Sequence, residues 1–206
     1  MQFRELRNKL EDFRVFTLSD IRKIEPDFHR ARLSEWQDKG YIKKLRRGYY
    51  IFADETLSEK VLFLIANQLY EPSYVSLEMA FSRYNLIPEA VYSVTSVTSK
   101  KTMQFETPIT TFVYRSVKPE LMFGYRLEGV GKQKYKLAEV EKAVLDYLYL
   151  NSSINNESAF AGLRFNSEAF LRTVNLETFT QYARAFGNKS LEKRADDFIT
   201  FLKQTT

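Results

Sequence analysis

An α+β fold is predicted, and three observations predict it. Apolar residues recur at three- and four-residue spacing from Phe3 to Trp36, the spacing then changes to a β-rich alternation around a basic turn at Arg46-Arg47-Gly48, and β-branched or aromatic runs between Val91 and Leu137 give way to helical spacing again. The expected organisation is a first unit over residues 1–55, three helices and a hairpin, and then a mixed α/β domain over 56–206 whose last part, from about 151, is helical.

Each element has a local cause. Phe3, Leu6, Leu10 and Phe13 form one stripe of a first helix, with Arg4, Arg7, Lys9 and Asp12 on its other face. Val15-Phe16 is a short apolar link. Thr17, followed three residues later by Asp20, reads as an N-cap with a first-turn acid, and Leu18, Ile21 and Ile24 give the second helix its buried face before Pro26. Asp27 can cap a third helix with Leu33 and Trp36 inward, and Gly40 stands where a left-handed C-terminal residue is wanted. Tyr41 to Phe52 then reads as a hairpin with a charged tip. Three helices and a hairpin in this order are those of a winged helix-turn-helix. Beyond it, Thr56 can cap a helix through Val61, Leu62, Ile65 and Leu69, and Ser73 to Tyr84 reads as a further short helix. Val91–Val97, Thr110–Tyr114, Phe123–Leu127 and Tyr135–Leu137 read as strands. Val140, Ala143, Val144, Tyr147 and Leu148 return to helical spacing, and in the last helix Leu191, Phe198, Ile199 and Leu202 face inward.

Composition narrows the function. With 44% hydrophobic and 28% charged residues the chain is neither disordered nor collagenous, and with no cysteine it excludes thiolate zinc, iron–sulfur and cysteine-nucleophile chemistry. The longest apolar run, Val61 to Ala66, is far short of the ~20 residues that cross a bilayer, and Met1 to Glu5 runs into charge without a signal-peptide core. A cytoplasmic protein without membrane association is expected. The formal net charge of +5 is concentrated: Phe28–Phe52 holds seven Lys and Arg against two acids, and Thr98–Lys136 holds eight against three. Two basic patches predict a polyanion or an acidic protein as partner.

In a winged helix-turn-helix the third helix reads base edges in the major groove and the wing holds phosphates. Arg30, Arg32, Ser34 and Gln37 are therefore the candidate contacts on the helix or its flanks, Arg30 and Ser34 foremost, and Lys43, Lys44, Arg46 and Arg47 those on the wing. Trp36 is read as core rather than as a stacking platform, and His29, the sole histidine, as half packed beside Leu33. One histidine cannot supply a His-based metal triad. The pairs Glu139/Glu141 and Asp196/Asp197 point to different sides of their helices, and Gly129-Val130-Gly131 lacks the third glycine of a dinucleotide loop and reads as a turn. No catalytic residue, metal or cofactor is expected, and the protein is read as not an enzyme.

Three segments carry a resemblance. Leu33–Tyr50 (LSEWQDKGYIKKLRRGYY), Tyr74–Glu89 (YVSLEMAFSRYNLIPE) with the strandlike Ser93–Thr98, and Leu137–Asp146 (LAEVEKAVLD) resemble, in order, the helix–wing segment, central block and Glu-Lys-Ala-x-x-Asp helix of the AbiEi family, antitoxins of type IV toxin–antitoxin and phage-abortive-infection systems. The likeness runs from about Phe16 to Leu150. Asn85 stands where the family usually has glycine, and Val140 where it often has proline. The resemblance implies a repressor of its own operon that counteracts a nucleotidyltransferase-like toxin functionally, without a stable complex. Lys100, Lys101, Lys132, Lys134 and Lys136 are the candidate antitoxin surface, with auxiliary DNA contact as the other use of the same lysines. Glu141 and Lys142 are expected as the rim of a helix packed by Val140, Val144 and Leu148. The alternative is a stand-alone winged-helix regulator whose C-terminal domain dimerises or senses a ligand, a homodimer being compatible with either reading; a nuclease would need an acidic cluster that the sequence does not offer.

Overall fold

Why the first forty residues make three short helices is visible at their ends. In the computed structural model, which describes residues 2–205, α1 spans Phe3–Lys9, β1 Phe16–Thr17, α2 Leu18–Ile24 and α3 Ala31–Asp38. Thr17 and Asp20 close a reciprocal capping box on α2: the Asp20 amide donates to Thr17 Oγ1 at 3.3 Å and the Thr17 amide donates to Asp20 Oδ2 at 3.0 Å. Gly40 ends α3 in the left-handed region at φ 70°, as its position predicts. Two local expectations fail. The N-cap of α3 is Arg30, which caps with no side-chain bond, and Asp27 does not serve; Phe28, buried and 5.4 Å from Trp36 ring to ring, holds this turn instead. His29 is exposed, because the turn that buries Phe28 directs its neighbour outward.

The hairpin follows as β2 (Ile42–Arg46) and β3 (Tyr49–Phe52), turning at Arg47-Gly48 with Gly48 at φ 86°. Val15-Phe16 is more than a link: Phe16, with Thr17, forms β1 and pairs antiparallel with β3, giving the sheet order β1-β3-β2. Leu6, Leu10, Phe16, Ile21, Phe28, Leu33, Trp36, Ile42, Tyr50 and Phe52 close one core. Burial of each such side chain is worth ~1.5–3 kcal/mol.

The remainder is a six-stranded mixed sheet between helices. Its elements are α4 (Glu59–Leu69), β4 (Ser73–Val75), α5 (Leu77–Arg83), β5 (Ser93–Thr98), β6 (Met103–Glu106), β7 (Thr111–Ser116), β8 (Tyr125–Val130), β9 (Gln133–Ala138), α6 (Val140–Leu150), α7 (Glu157–Gly162), α8 (Ser167–Thr173), α9 (Leu176–Ala185) and α10 (Lys189–Gln204). The strand order is β6-β7-β5-β4-β9-β8. Register sorts its faces: Tyr114, opposite Ser96, donates to the Ala66 carbonyl of α4 at 2.7 Å, while Thr95 on the other face accepts from the Met79 amide of α5 at 3.0 Å. Helix α4 thus covers one face, and α5 and α6 cover the other, with α9 and α10 packed behind α6. Ser73–Tyr84 corrects the expectation of one helix, since Ser73–Val75 is the strand that joins the sheet's halves. Helix α4 is capped by Ser58 rather than Thr56, and Ile199 is only half-buried. Gly131, at φ 60°, opens the tight β8–β9 turn, whereas Gly129 and Val130 lie in β8 opposite Lys134 and Gln133, so only the second glycine of the pair is in the turn that was expected. Asn85 ends α5 at φ 57°, with the Leu86 amide donating back to the Phe81 carbonyl at 2.8 Å. Asparagine tolerates that left-handed position, which explains why it can stand where glycine is the usual choice.

Several joints tie the units together. Val15, Leu45 and Ile51 belong to the same buried cluster as α4 and the large sheet. Lys132, at the tip of β8–β9, reaches Asp12 at 2.8 Å. Among the described residues, no helix is long and apolar enough to cross a membrane.

Candidate nucleic-acid interface

Helix α3 buries Leu33 and Trp36 and so turns Arg30, Ala31, Ser34, Glu35 and Asp38 to solvent. Its first turn, the part that approaches base edges in this motif, exposes Arg30 and Ser34. Further along, Glu35 is bonded to Lys39 at 2.6 Å; that bond and the ammonium's charge hold the carboxyl below its usual range, and each charge offsets the other. Arg32 and Gln37 are less free than their sequence positions imply. The Arg32 guanidinium lies over Trp36 at 5.1 Å and Phe28 at 5.6 Å, and Gln37 donates back to the Leu33 carbonyl at 3.0 Å.

On the wing, Lys44 and Arg47 are exposed and Lys43 is half-buried. Arg46 is drawn away from the tip. It is the last residue of β2, and its guanidinium sits 4.2 Å from the Tyr49 ring and 4.9 Å from the ring of Phe105 on β6. A residue assigned to phosphate from sequence is thereby a contact between the wing and the edge of the second sheet, and Phe105, its partner, carried no signal because β6 itself was not anticipated.

The second patch is assembled by strand register. Thr98 lies opposite Ser73 at the start of β4, and β9 runs parallel to β4 with Leu137 opposite Val75, so Lys100 and Lys101 share one end of the sheet with Lys132 and Lys134. Lys100, Lys101 and Lys134 are exposed. Lys132 is committed to Asp12, and Lys136 lies half-buried over the Tyr125 ring at 5.3 Å.

The Glu-Lys-Ala-x-x-Asp helix corrects the expectation of a charged rim. Lys142 and Asp146 are fully buried and Glu141 is nearly so. Lys142 Nζ donates to Asp146 Oδ1 and, at 2.9 Å, to the Tyr74 hydroxyl; Tyr74 and Ser76 each donate to Asp146 Oδ2 at 2.9 Å. Phe186 and Phe123 rings enclose the ammonium at 4.5 and 4.9 Å. Burial pushes the Asp146 carboxyl up and the Lys142 ammonium down from their ordinary ranges, and only their mutual attraction and the two hydroxyls oppose it. Glu141 accepts the Asn175 amide at 2.7 Å at the start of α9, and Glu139 accepts the Tyr182 hydroxyl at 2.7 Å. The signature is a polar knot that locks α6 to β4 and α9. Asp196 and Asp197 are exposed, as expected of a solvated face.

No family model matches the chain, and no curated protein matches it. Among the described residues, no group of three or more His, Asp or Glu side chains is placed to hold a metal.

Proposed function

We propose that the protein is a cytoplasmic DNA-binding antitoxin that represses its own operon and counteracts a nucleotidyltransferase-like toxin. The observation that carries the DNA half is the exposure of Arg30 and Ser34 on the first turn of α3 together with Lys44 and Arg47 on the wing. Phosphate contacts from the wing position the protein, and the first turn of α3 supplies the residues that distinguish bases. The antitoxin half rests on the resemblance of the three segments in order. The second reading, a stand-alone regulator with a ligand-sensing domain, is favoured by the open cleft described in the next subsection.

Titration against the protein's own upstream DNA and against scrambled DNA at several salt concentrations tests the first half. Each lost phosphate contact flattens the log–log salt slope by about 0.9, so Lys44→Ala/Arg47→Ala flattens it by up to about 2, while Arg46→Ala, seated between rings, leaves it unchanged. No preference for upstream DNA, with an unchanged slope in the double variant, overturns the DNA reading. If the protein binds as a homodimer, the operator is an inverted repeat with half-sites about one helical turn or a multiple apart. For the second half, Lys100→Glu/Lys101→Glu/Lys134→Glu is expected to abolish rescue from the co-expressed toxin with operator binding retained. These three lysines are chosen because Lys132 is an inter-unit ion pair. Full rescue by the triple variant rejects this surface.

A further inference from the structure

The face of the large sheet opposite α4 is covered by α5 only over β5, and beyond it β7 and β6 form the floor of a cleft of about 860 Å³. That volume lies within the range of small-molecule sites. Its walls are apolar: Phe81 from α5, Tyr147 from α6 and Leu163 after α7. Its floor is polar, with Thr111 and Arg115 on β7 and Gln104 opposite Val113 on β6. Among the described residues that line it, Arg115 is the cation and Glu78 and Glu89 are the acids, and Glu89 is already paired with Arg164 at 3.1 Å. Arg115 uses one nitrogen for a long 3.4 Å bond to the Leu150 carbonyl and keeps the rest of its fork. Glu78 on α5 and Arg115 on β7 line the same cleft as Tyr147, whose hydroxyl ionisation is pushed up by burial and by Glu78 and pulled down by Arg115.

We infer that this cleft binds a small amphipathic anion: an aromatic body against Phe81 and Tyr147, one oxyanion on Arg115, and a hydrogen-bond donor facing Glu78. A bare carboxylate without the donor would meet Glu78 uncompensated, and a cation would meet Arg115. The inference deepens the second reading above and requires no DNA, so its test reads ligand binding alone. Edge strand β6 carries Gln104 into the cleft and Phe105 against the wing's Arg46 on its other face.

The probe is 8-anilinonaphthalene-1-sulfonate, which has the aromatic body, one oxyanion and one N–H. Titration into the full chain, followed by its fluorescence, is expected to show one saturable site per chain. Val113→Trp, which places a large ring on the floor, removes that site. Arg115→Gln weakens it about tenfold and leaves binding of the uncharged N-phenyl-1-naphthylamine unchanged. Thermal unfolding of both variants accompanies the titration, and if Val113→Trp does not fold, Arg115→Gln decides. Absence of a saturable site, or sulfonate affinity unaltered by Arg115→Gln, overturns the inference.

Discussion

Asp146→Ala is expected to destabilise the protein by about 3–5 kcal/mol, the cost of leaving a buried charge without its partner. Asp146 is fully buried and receives three donors, Lys142, Tyr74 and Ser76. Its removal leaves an ammonium whose nearest company is the Tyr74 hydroxyl and the faces of Phe123 and Phe186. Cation–π contact supplies about 2 kcal/mol or more in such a desolvated setting but was already made before the substitution, so it does not replace the lost carboxylate. Set against the 5–15 kcal/mol that folds a typical domain, the loss takes a large share. The double replacement Lys142→Met/Asp146→Leu removes both charges and keeps volume, and recovers only part of the stability, because the unpaired ammonium is gone but the buried Tyr74 and Ser76 hydroxyls lose their acceptor at ~1–3 kcal/mol each. Urea denaturation of the three proteins checks this. A shift below about 1 kcal/mol for Asp146→Ala would mean that the knot is not what holds α6 to β4.

Gly124→Ala is the second large effect, expected at about 2–5 kcal/mol. Two independent terms act. Gly124 sits at φ 66°, where an added Cβ costs ~1–2 kcal/mol. That Cβ would also stand 3.0 Å from Lys142 Cβ and Cγ and from Tyr182 Cε2. Lys142 is held by its buried pair and cannot yield, so overpacking adds ~1–3 kcal/mol. Gly187→Ala is the control, since it shares the left-handed conformation, φ 61°, but has open space around it. The difference between the two variants in a melting experiment isolates the packing contribution, and equal losses would refute it.

The elements most legible in the sequence were those whose cause is local. Thr17 and Asp20 cap each other across three residues, Gly40 and Gly131 take the positive φ that their positions demand, and the periods of α4, α6 and α10 are carried by their own apolar residues. The short strands were not legible. Phe16-Thr17 and Ser73–Val75 are two and three residues long, too few to display a period, and each is a strand only because a distant partner accepts its hydrogen bonds. Among the candidate contacts, exposure of Arg30, Ser34, Lys44 and Arg47 followed from the inward positions of their neighbours. Arg32 and Arg46 did not follow, because the rings that engage them are a matter of packing.

What the sequence alone determined is thus the period of each long element, the caps, the concentration of positive charge, and the absence of thiol chemistry. Tertiary structure alone decided which charges face water. Lys142 reads as the rim of its helix until Tyr74, 68 residues away, is folded against it and against Asp146, its neighbour one turn on. Sequence spacing sets the direction in which a side chain leaves its helix, but burial depends on what arrives to cover it, and here the cover comes from β4 and from the aromatic side chains of Phe123 and Phe186.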